Sequence, residues 1–204
     1  MYKTEQEAFW AGEFGNHYIN RNNDTELVAA NMALFARVLK ATQSMSSVIE
    51  FGANIGLNLR AIRHLLPKAE LAAVEINEQA VAALKTQSDL TVFHQSILDF
   101  EPEITHDFVL IKGVLIHINP DVLTDVYEKL YQASRRYICV AEYYSPNPVE
   151  MPYRGHAGKL FKRDFAGEMI DRYSDLTLLD YGFVYHRDMH FAQGDVNWFL
   201  LEKV

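Results

Sequence analysis

The stretch Glu50-Phe51-Gly52-Ala53-Asn54-Ile55-Gly56 decides which fold this sequence predicts. It ends a strand-like run over 47–51 and precedes a helical pattern that stops before Pro67, because proline cannot continue a helix. Glycine permits a sharp turn at Gly52 and a close approach of helix and sheet at Gly56. A loop of this kind places free backbone N–H groups at the carboxyl edge of a parallel sheet, where ligands bind.

The spacing of the glycines limits the kind of ligand. In the dinucleotide-binding pattern G-x-G-x-x-G, the second glycine would fall at Asn54. A side chain there blocks the approach of a pyrophosphate to the backbone. A helix N-terminus suits a carboxylate as well as a phosphate, so the loop favours a nucleotide-type ligand that has no pyrophosphate. The competing interpretation is that the two glycines are plain architecture.

Strand-like and helix-like segments alternate on both sides of this loop, which is typical of a mostly parallel sheet covered by helices. We expect helices over 25–40, 56–66, 77–84, 119–133 and 164–173, and strands over 47–51, 71–76, 91–95, 107–112, 137–141, 176–185 and 196–202. The last two strands suit an antiparallel pair with a long connection. The prediction is an α/β fold: a single Rossmann-like, doubly wound, mostly parallel sheet with a C-terminal antiparallel strand pair.

Two segments lie outside this alternation. Residues 1–22 are rich in aromatic residues and glycine and predict an irregular N-terminal segment. Residues 143–160 predict a loop, because proline and glycine recur throughout them.

Composition excludes several classes of protein. The chain has 204 residues, a formal net charge of −8 and one cysteine, Cys139. One cysteine excludes a disulfide framework, and the charge argues against a whole-domain basic surface for nucleic acid. No apolar run is long enough to span a bilayer, and the start has no apolar signal region. We therefore expect one cytoplasmic domain over 1–204 that binds neither nucleic acid nor membrane, in an oligomeric state the sequence does not indicate.

Polar residues follow the other predicted strands as well. Glu75 lies at the distance past the glycine loop where an acidic residue binds ribose hydroxyls, and a carboxylate can accept two such hydrogen bonds. Ser96 follows the third strand, and Lys112 ends the fourth. Each residue alone is commonly structural, but their order at consecutive strand ends indicates one site.

The pattern from Glu50 to Gly56 resembles motif I of the class I methyltransferases that use S-adenosylmethionine (SAM). The resemblance implies that the loop wraps the methionine part of SAM, that Glu75 binds ribose, that Ser96 and Ile97 contact adenine, and that 112–118 line the transferred methyl group. It implies SAM as cofactor and S-adenosylhomocysteine (SAH) as product. The expected cofactor-binding residues are Trp10, Arg21, Glu50, Gly52, Ala53, Asn54, Gly56, Glu75, Ile76, Ser96, Ile97, Lys112 and Leu115.

A longer resemblance covers essentially the whole chain. The opening, Phe9-Trp10-x-Gly12-x-Phe14-Gly15-x-x-Tyr18-x-x-Arg21-Asn22, resembles that of the methylases associated with pseudaminic acid biosynthesis. The stretches 142–156 and 160–168 resemble the same family. The resemblance implies methyl transfer to an oxygen or nitrogen of a sugar-like or nucleotide-sugar acceptor, as in polysaccharide biosynthesis.

A hydroxyl acceptor usually needs a base within hydrogen-bond reach, whereas an amine of low pKa can react without one. His117 follows the fourth strand near the expected mouth of the site, although it is equally typical of a buried histidine under the next helix. His156 and Tyr144 are further catalytic candidates, from a segment 143–163 that we interpret as a substrate loop insertion.

Tyr143, Tyr153 and Arg154 are candidate substrate-binding residues, because arginine binds anions with a planar fork of donors and aromatic rings stack on sugars. The alternative is that they only hold the loop to the domain. Residues 1–24 are interpreted as an aromatic lid over SAM, with Trp10 against the cofactor and Arg21 aimed at its carboxylate. The alternative is a helical stripe packed on the core.

No metal is expected. His186, Asp188 and His190 would lie on one face of an extended segment, as a surface patch rather than a ligand set. The alternatives in function are a methyltransferase for another small molecule or a protein side chain, an NAD(P)-dependent sugar oxidoreductase, against which Asn54 argues, and a non-catalytic SAM- or SAH-binding module.

Overall fold

The computed structural model describes residues 2–21 and 25–204, and for Asn20, Arg21 and Thr25 the backbone alone. The helices are α1 (Glu5–Ala11), α2 (Glu13–Arg21), α3 (Thr25–Leu39), α4 (Leu57–Leu65), α5 (Glu78–Leu84), α6 (Leu123–Ala133) and α7 (Phe165–Arg172). The strands are β1 (Ser47–Phe51), β2 (Glu70–Glu75), β3 (Leu90–His94), β4 (His106–Lys112), β5 (Ser134–Glu142), β6 (Val149–Tyr153), β7 (His156–Lys162), β8 (Leu176–Val184) and β9 (Val196–Lys203).

Seven strands form one sheet in the order β3-β2-β1-β4-β5-β9-β8. The strands β1 to β5 pair in parallel, whereas β9 is antiparallel to both of its neighbours. The chain leaves β1 toward β2 on one side and later returns to β4 on the other. This reversal creates the crevice in which open α/β sheets bind ligands. The predicted fold class is confirmed, including the C-terminal antiparallel pair.

The central strands are buried because helices cover both faces of the sheet. All five residues of β1 are buried, and its three apolar residues are divided between two apolar clusters. Val48 packs with residues of α3 and α4 on one face, and Ile49 with residues of α6 and α7 on the other. Two covered faces explain why the strand is apolar except for Ser47 and Glu50.

The predicted elements agree closely with the observed ones along the sheet. The strand over 47–51 is observed with the same bounds, and the other strands of the main sheet differ by at most three residues at either end. Asn77 caps α5, since its Oδ1 accepts the Ala80 N–H at 3.0 Å. The predicted helix over 119–133 begins with a 3-10 turn, Pro120–Val122, before α6.

The prediction of an irregular N-terminal segment is wrong. Residues there form α1 and α2, which Gly12 separates. A capping box starts α1: Thr4 Oγ1 accepts the Glu7 N–H at 3.1 Å, and the Glu7 carboxylate accepts the Thr4 N–H at 2.9 Å. The aromatic and glycine content concealed this Thr-x-x-Glu signal.

The prediction of a loop over 143–160 is also wrong, because β6 and β7 form an antiparallel hairpin. Its two-residue turn is Arg154-Gly155, with φ of 51° and 87°. Positive φ at both central residues is the turn geometry that matches the twist of a hairpin. Pro152 is tolerated because it lies at the register shift between Met151 and Tyr153, in a two-stranded sheet apart from the main one.

Candidate functional site

A cavity of about 470 Å³ lies at the carboxyl edge of the sheet, at the reversal of strand order. Its wall comes from the ends of β1 to β5 and from α1 and α2. The residues that follow the five strands are Gly52 to Ile55, Glu75 to Asn77, Ser96 to Leu98, Lys112 to Val114, and Glu142 with Tyr143. The volume is that of a small-molecule site.

Unpaired polar atoms concentrate around this cavity. Within the described residues, ten buried side-chain nitrogen or oxygen atoms lack a hydrogen-bond partner, and seven of them belong to residues of the cavity wall. These seven are Gln6 Oε1, Trp10 Nε1, Asn31 Oδ1, Asn54 Oδ1, Asn58 Oδ1, Glu142 Oε2 and Gln193 Nε2. Leaving such an atom unpaired costs about 1–3 kcal/mol. The wall is therefore built for a polar ligand that both donates and accepts hydrogen bonds.

The glycine loop is shaped for close contact. Gly52 has a φ of 72°, and a Cβ there would lie 2.6 Å from a methyl carbon of Val114. Gly56, with a φ of 79°, precedes α4 without a side-chain cap, so the first N–H groups of this helix stay free for a ligand. Gly56 itself lies behind the cavity wall, where its missing side chain makes room for Leu84 and Gln87.

Glu75 holds the glycine loop in place. Its two carboxylate oxygens accept the backbone N–H groups of Asn54 and Asn77, both at 2.7 Å. Burial raises the pKa of the Glu75 carboxyl, and these two N–H donors oppose that rise. Each oxygen keeps a second lone pair, and Glu75 lines the cavity beside Ile76. The residue can therefore pin the loop and accept hydrogen bonds from a ligand together.

Glu50, Lys112 and Glu142 place three buried titratable groups on neighbouring strands. Burial raises the pKa of Glu50 to about 8 and that of Glu142 to about 7. Burial also lowers the pKa of Lys112, while the two carboxylates favour its charged form. Glu50 lies beneath the wall rather than in it, because β1 is buried on both faces. There its Oε1 accepts the Asn58 amide at 2.6 Å and so orients a side chain that does line the cavity.

Glu142 is a site residue that the sequence prediction missed. Its Oε1 accepts the N–H groups of Val114 and Leu115, both at 2.9 Å, and its Oε2 has no partner among the described residues. The available signal was an acidic residue at the end of a buried strand. Leu115, expected to touch the cofactor, is fully buried in the core cluster and only its backbone meets Glu142.

The sequence left two alternatives for His117, a buried histidine or a residue of the site, and it is both. Its Nδ1 lies 2.6 Å from the Lys159 carbonyl oxygen, which can only accept, so Nδ1 carries the proton of the neutral ring. Burial lowers the pKa of His117 to about 4. The ring packs 4.6 Å from the rings of Trp10 and Tyr153, and the residue lines the cavity. It is a buried histidine that also faces the site.

Of the candidates in the hairpin region, Tyr143, Tyr153 and Arg154 line the cavity. Tyr144 lies outside it, 39% exposed and with its ring 5.9 Å from Phe199, because neighbouring side chains in an extended segment point to opposite sides.

His156 lies outside the cavity too. Its ring packs 5.1 Å from Phe9 and 5.6 Å from Phe14, on the N-terminal helices. The hairpin therefore brings three of its five candidates to the site.

The N-terminal helices close one side of the cavity. Ser96 donates its hydroxyl hydrogen bond to the Glu7 carboxylate, and Lys3 Nζ donates to the Leu98 carbonyl at 3.1 Å. Asn77 Nδ2 donates to the Trp10 carbonyl at 3.1 Å. These bonds tie α1 to the ends of β2 and β3.

The aromatic residues of these helices pack as a stripe at helical spacing. The ring of Trp10 lies 5.4 Å from that of Phe14 and 5.3 Å from that of Tyr18. Trp10 and Tyr18 also line the cavity, so a packed stripe and a cover for the site are compatible. The side chain of Arg21, expected at the cofactor carboxylate, lies outside the described residues.

Across residues 2–21 and 25–204, no group of three or more His, Cys, Asp or Glu side chains is arranged to hold a metal ion. The segment after β8 forms turns rather than an extended strand, and His186 Nδ1 contacts Asp195 Oδ1 at 2.8 Å. None of the helices in the described part of the chain is long and apolar enough to cross a membrane.

Solved structures of similar fold were found, whereas no protein-family model and no curated protein matches the sequence. The 1,6-didemethyltoxoflavin-N1-methyltransferase of Burkholderia thailandensis, bound to 1,6-didemethyltoxoflavin and SAH, has a TM-score of 0.70 at 13% identity. The match covers 97% of this chain and 87% of that one. The magnesium protoporphyrin IX methyltransferase of Synechocystis PCC 6803, with bound SAH, has a TM-score of 0.69 at 12% identity, over 98% and 100% of the two chains.

A third similar structure is the plantazolicin methyltransferase in complex with a pentazolic desmethylPZN analogue and SAH. Its TM-score is 0.64 at 14% identity, over 97% of this chain and 94% of that one. At these identities the similarity establishes a shared fold. All three of these neighbours are SAH-bound methyltransferases.

Proposed function

We propose that this chain is an enzyme that transfers a methyl group from SAM to an oxygen or nitrogen of a small-molecule acceptor and releases SAH. The observation that carries the proposal is the cavity at the strand-order reversal, in which the glycine loop and the Glu75 carboxylate lie side by side. Similar folds that hold SAH support it.

The wall offers a place for each part of SAM. The free N–H groups at the start of α4 and the Lys112 ammonium suit its carboxylate. Glu75 suits the ribose diol, since it can accept two hydroxyl hydrogen bonds. Beyond β2 the wall becomes apolar at Ile76, Ile97 and Leu98, which suits the adenine ring.

When bound, SAM supplies an electrophilic methyl group on a sulfonium. The chain contributes orientation and a shielded cavity. The loop 112–118 and the end of β5 lie on the side away from Ser96, where an acceptor can be aligned with the methyl group. Holding two reactants in line is a large part of such catalysis. The α1 and α2 residues of the wall, Trp10 among them, keep water away from this space.

For the acceptor we propose a sugar-like or nucleotide-sugar molecule. The resemblance of the opening and of 142–156 to the pseudaminic acid-associated methylases supports it. Tyr143, Tyr153 and Arg154 all line the cavity, and their ring faces and guanidinium fork suit an anionic ring. The neighbours favour a second candidate, another small organic molecule, because their structures hold 1,6-didemethyltoxoflavin and a pentazolic desmethylPZN analogue.

The first test is calorimetric binding of SAM and SAH to the wild type, Glu75→Ala and the exposed control Glu78→Ala. We expect micromolar binding, about −8 kcal/mol, because the unpaired wall atoms gain partners. Loss of the Glu75 carboxylate removes the diol acceptor and frees the Asn54 N–H, which should weaken binding at least tenfold, an effect of about 1.5–3 kcal/mol. Glu78→Ala should stay within twofold.

Absence of SAM and SAH binding by the folded wild type would overturn the proposal. If both ligands bind, incorporation of radiolabelled methyl groups into a panel of nucleotide sugars and small aromatic hydroxyl compounds assigns the acceptor class. Tight binding with no transfer to either class would favour a non-catalytic SAM-binding module.

A further inference from the structure

In the described part of the cavity wall, one carboxylate has an oxygen without a hydrogen-bond partner. Among the described wall residues the carboxylates are those of Glu7, Glu75 and Glu142. Glu7 and Glu75 have both oxygens bonded, to Ser96 and to backbone N–H groups. Glu142 is 3% exposed, yet its Oε2 has no partner in the described part of the chain. A buried, unpaired carboxylate oxygen in a cavity points to a hydrogen-bond donor on the ligand.

Given the proposed methyl transfer, we propose that Glu142 is the general base that accepts the proton of the acceptor O–H or N–H group. The proton moves to Oε2, and the electron pair of the broken bond stays on the acceptor atom. That atom forms the new bond to the methyl carbon, and the carbon–sulfur electron pair returns to sulfur. A cationic sulfonium and an anionic carboxylate thereby become two neutral groups, which a low-dielectric cavity favours.

The position of Glu142 in the sheet suits this role. It ends β5, three strands away from Glu75 on β2. At about 4.8 Å per strand this separation is roughly 14 Å. Glu142 therefore lies beyond the part of the wall that suits the nucleoside and next to the acceptor side, where Tyr143 and Gln193 also line the cavity.

The orientation of the carboxylate is fixed by the backbone. Oε1 accepts the N–H groups of Val114 and Leu115, and the Ile116 N–H also favours the charged form by lowering the carboxyl pKa. Oε2, which has no hydrogen-bond partner in the described part of the chain, is left as the proton acceptor. Three charged or titratable groups interact electrostatically with this carboxyl: Lys112 on β4, Tyr127 on α6 and Tyr143 after β5. Burial raises its pKa to about 7, close to the operating range of a base at neutral pH.

His117 is the weaker candidate for the base. Its Nδ1 proton is committed to the Lys159 carbonyl, and burial lowers its pKa to about 4. A ring that is so hard to protonate holds an abstracted proton poorly. We assign it to positioning the hairpin against Trp10.

The test compares SAM with SAH, which differ in the sulfonium charge and the methyl group. Affinities for both are measured by calorimetry from pH 5.5 to 8.5 on the wild type, Glu142→Gln and the exposed control Glu101→Gln. The glutamine oxygen can still accept the two N–H groups, so the loop is retained while the titrating carboxyl is lost. SAH serves as the internal control for titration of the ligand's amino acid part.

We expect the preference of the wild type for SAM over SAH to rise about five- to tenfold with pH, the effect of a one-unit coupling between carboxylate and sulfonium. The same rise should occur in Glu101→Gln and be absent in Glu142→Gln. An unchanged rise in Glu142→Gln, or none in the wild type, while both ligands still bind, would overturn the role of Glu142 alone. Failure of the wild type to bind either ligand would instead overturn the proposed function.

Turnover gives a second readout on any acceptor found in the methyl-transfer screen. Glu142→Gln should lower kcat by roughly 10²- to 10⁴-fold and leave the KM for SAM within threefold. A purely structural role would disturb both constants, because the loop that contains Val114 and Leu115 also carries Lys112, which is proposed to hold the carboxylate of SAM.

Discussion

Single residues at the strand ends connect the backbone of this fold to its site. Glu75 and Glu142 each use carboxylate oxygens to hold N–H groups of a neighbouring loop, and both also line the cavity. Gly52 contributes by having no side chain, because Val114 occupies the space that a Cβ would need. Shape and chemistry of the site therefore depend on the same few positions.

Gly52→Ala and Gly113→Ala form a matched pair at this scale. Both glycines have a positive φ, 72° and 67°, which costs a residue with a Cβ about 1–2 kcal/mol. Only at Gly52 would the Cβ also meet another atom, 2.6 Å away, and this clash adds about 1–3 kcal/mol. Urea unfolding should therefore show a clearly larger loss of stability for Gly52→Ala. Equal losses of unfolding free energy in the two variants would mean that Val114 can move away from the new Cβ at no cost.

Among the elements, α1 and α2 are the pair whose role is easiest to isolate. They contact the rest of the domain mainly through side chains, among them Glu7 with Ser96, Asn77 with Trp10, and Gln6 with the Gly158 carbonyl. A pair of short helices that is held by side-chain contacts and has no place in the hydrogen-bond ladder of the sheet opens at a lower local free energy than the buried strands do. We propose that it acts as a lid that opens to admit the cofactor.

Hydrogen exchange measured by mass spectrometry tests this lid. Thr4→Ala removes the capping bond, worth about 1 kcal/mol, so exchange in 5–11 should become roughly fivefold faster. SAH should slow exchange over 5–21 in both proteins, because the ligand gives α1 and α2 a surface to close on. Thr86→Ala, at the exposed end of α5, is the control. No protection by bound SAH would rule out a lid.

At the scale of the whole molecule, the burial of the Glu50 and Glu142 carboxyl groups affects the free energy of unfolding. Both carboxyls have a pKa well above the ordinary value of 4.5, so the folded state binds protons that the unfolded state releases. Stability from such groups is complete below the unfolded pKa and is lost as pH rises through the folded value. Burying these two carboxyl groups therefore lowers the stability of the ligand-free protein at neutral pH.

The free energy of unfolding should therefore fall by on the order of 2 kcal/mol between pH 6.5 and 8. Burial lowers the pKa of His117 from its ordinary value of 6.5 to about 4, so the unfolded ring still binds protons at the start of this window and offsets about 0.4 kcal/mol of the fall. Chemical denaturation at several pH values measures the slope. Glu142→Gln should remove part of it, whereas the exposed control Glu101→Gln should retain it. Stability that rises with pH in the wild type would contradict the pKa directions given for the two glutamates.

The sequence by itself determined the order of strands and helices, because apolar periodicity, glycine at the turn and caps such as Asn77 are local signals. It also placed Glu75, Ser96 and Lys112 at strand ends, since parallel strands bring their carboxyl ends together. The prediction from sequence was wrong in two segments, in each case because of local residue content. Aromatic residues and glycine concealed a capping box in α1, and proline concealed the hairpin around Arg154-Gly155.

Only the tertiary structure decided which side chains reach the cavity. Tyr143 faces it and Tyr144 does not, because one residue along an extended chain reverses direction. Glu50 is hidden because β1 is covered on both faces, and Glu142 is left with one free oxygen because a distant loop takes the other. The burial of a side chain and its hydrogen-bond partners are properties of the packed molecule, since they depend on groups far apart in the chain.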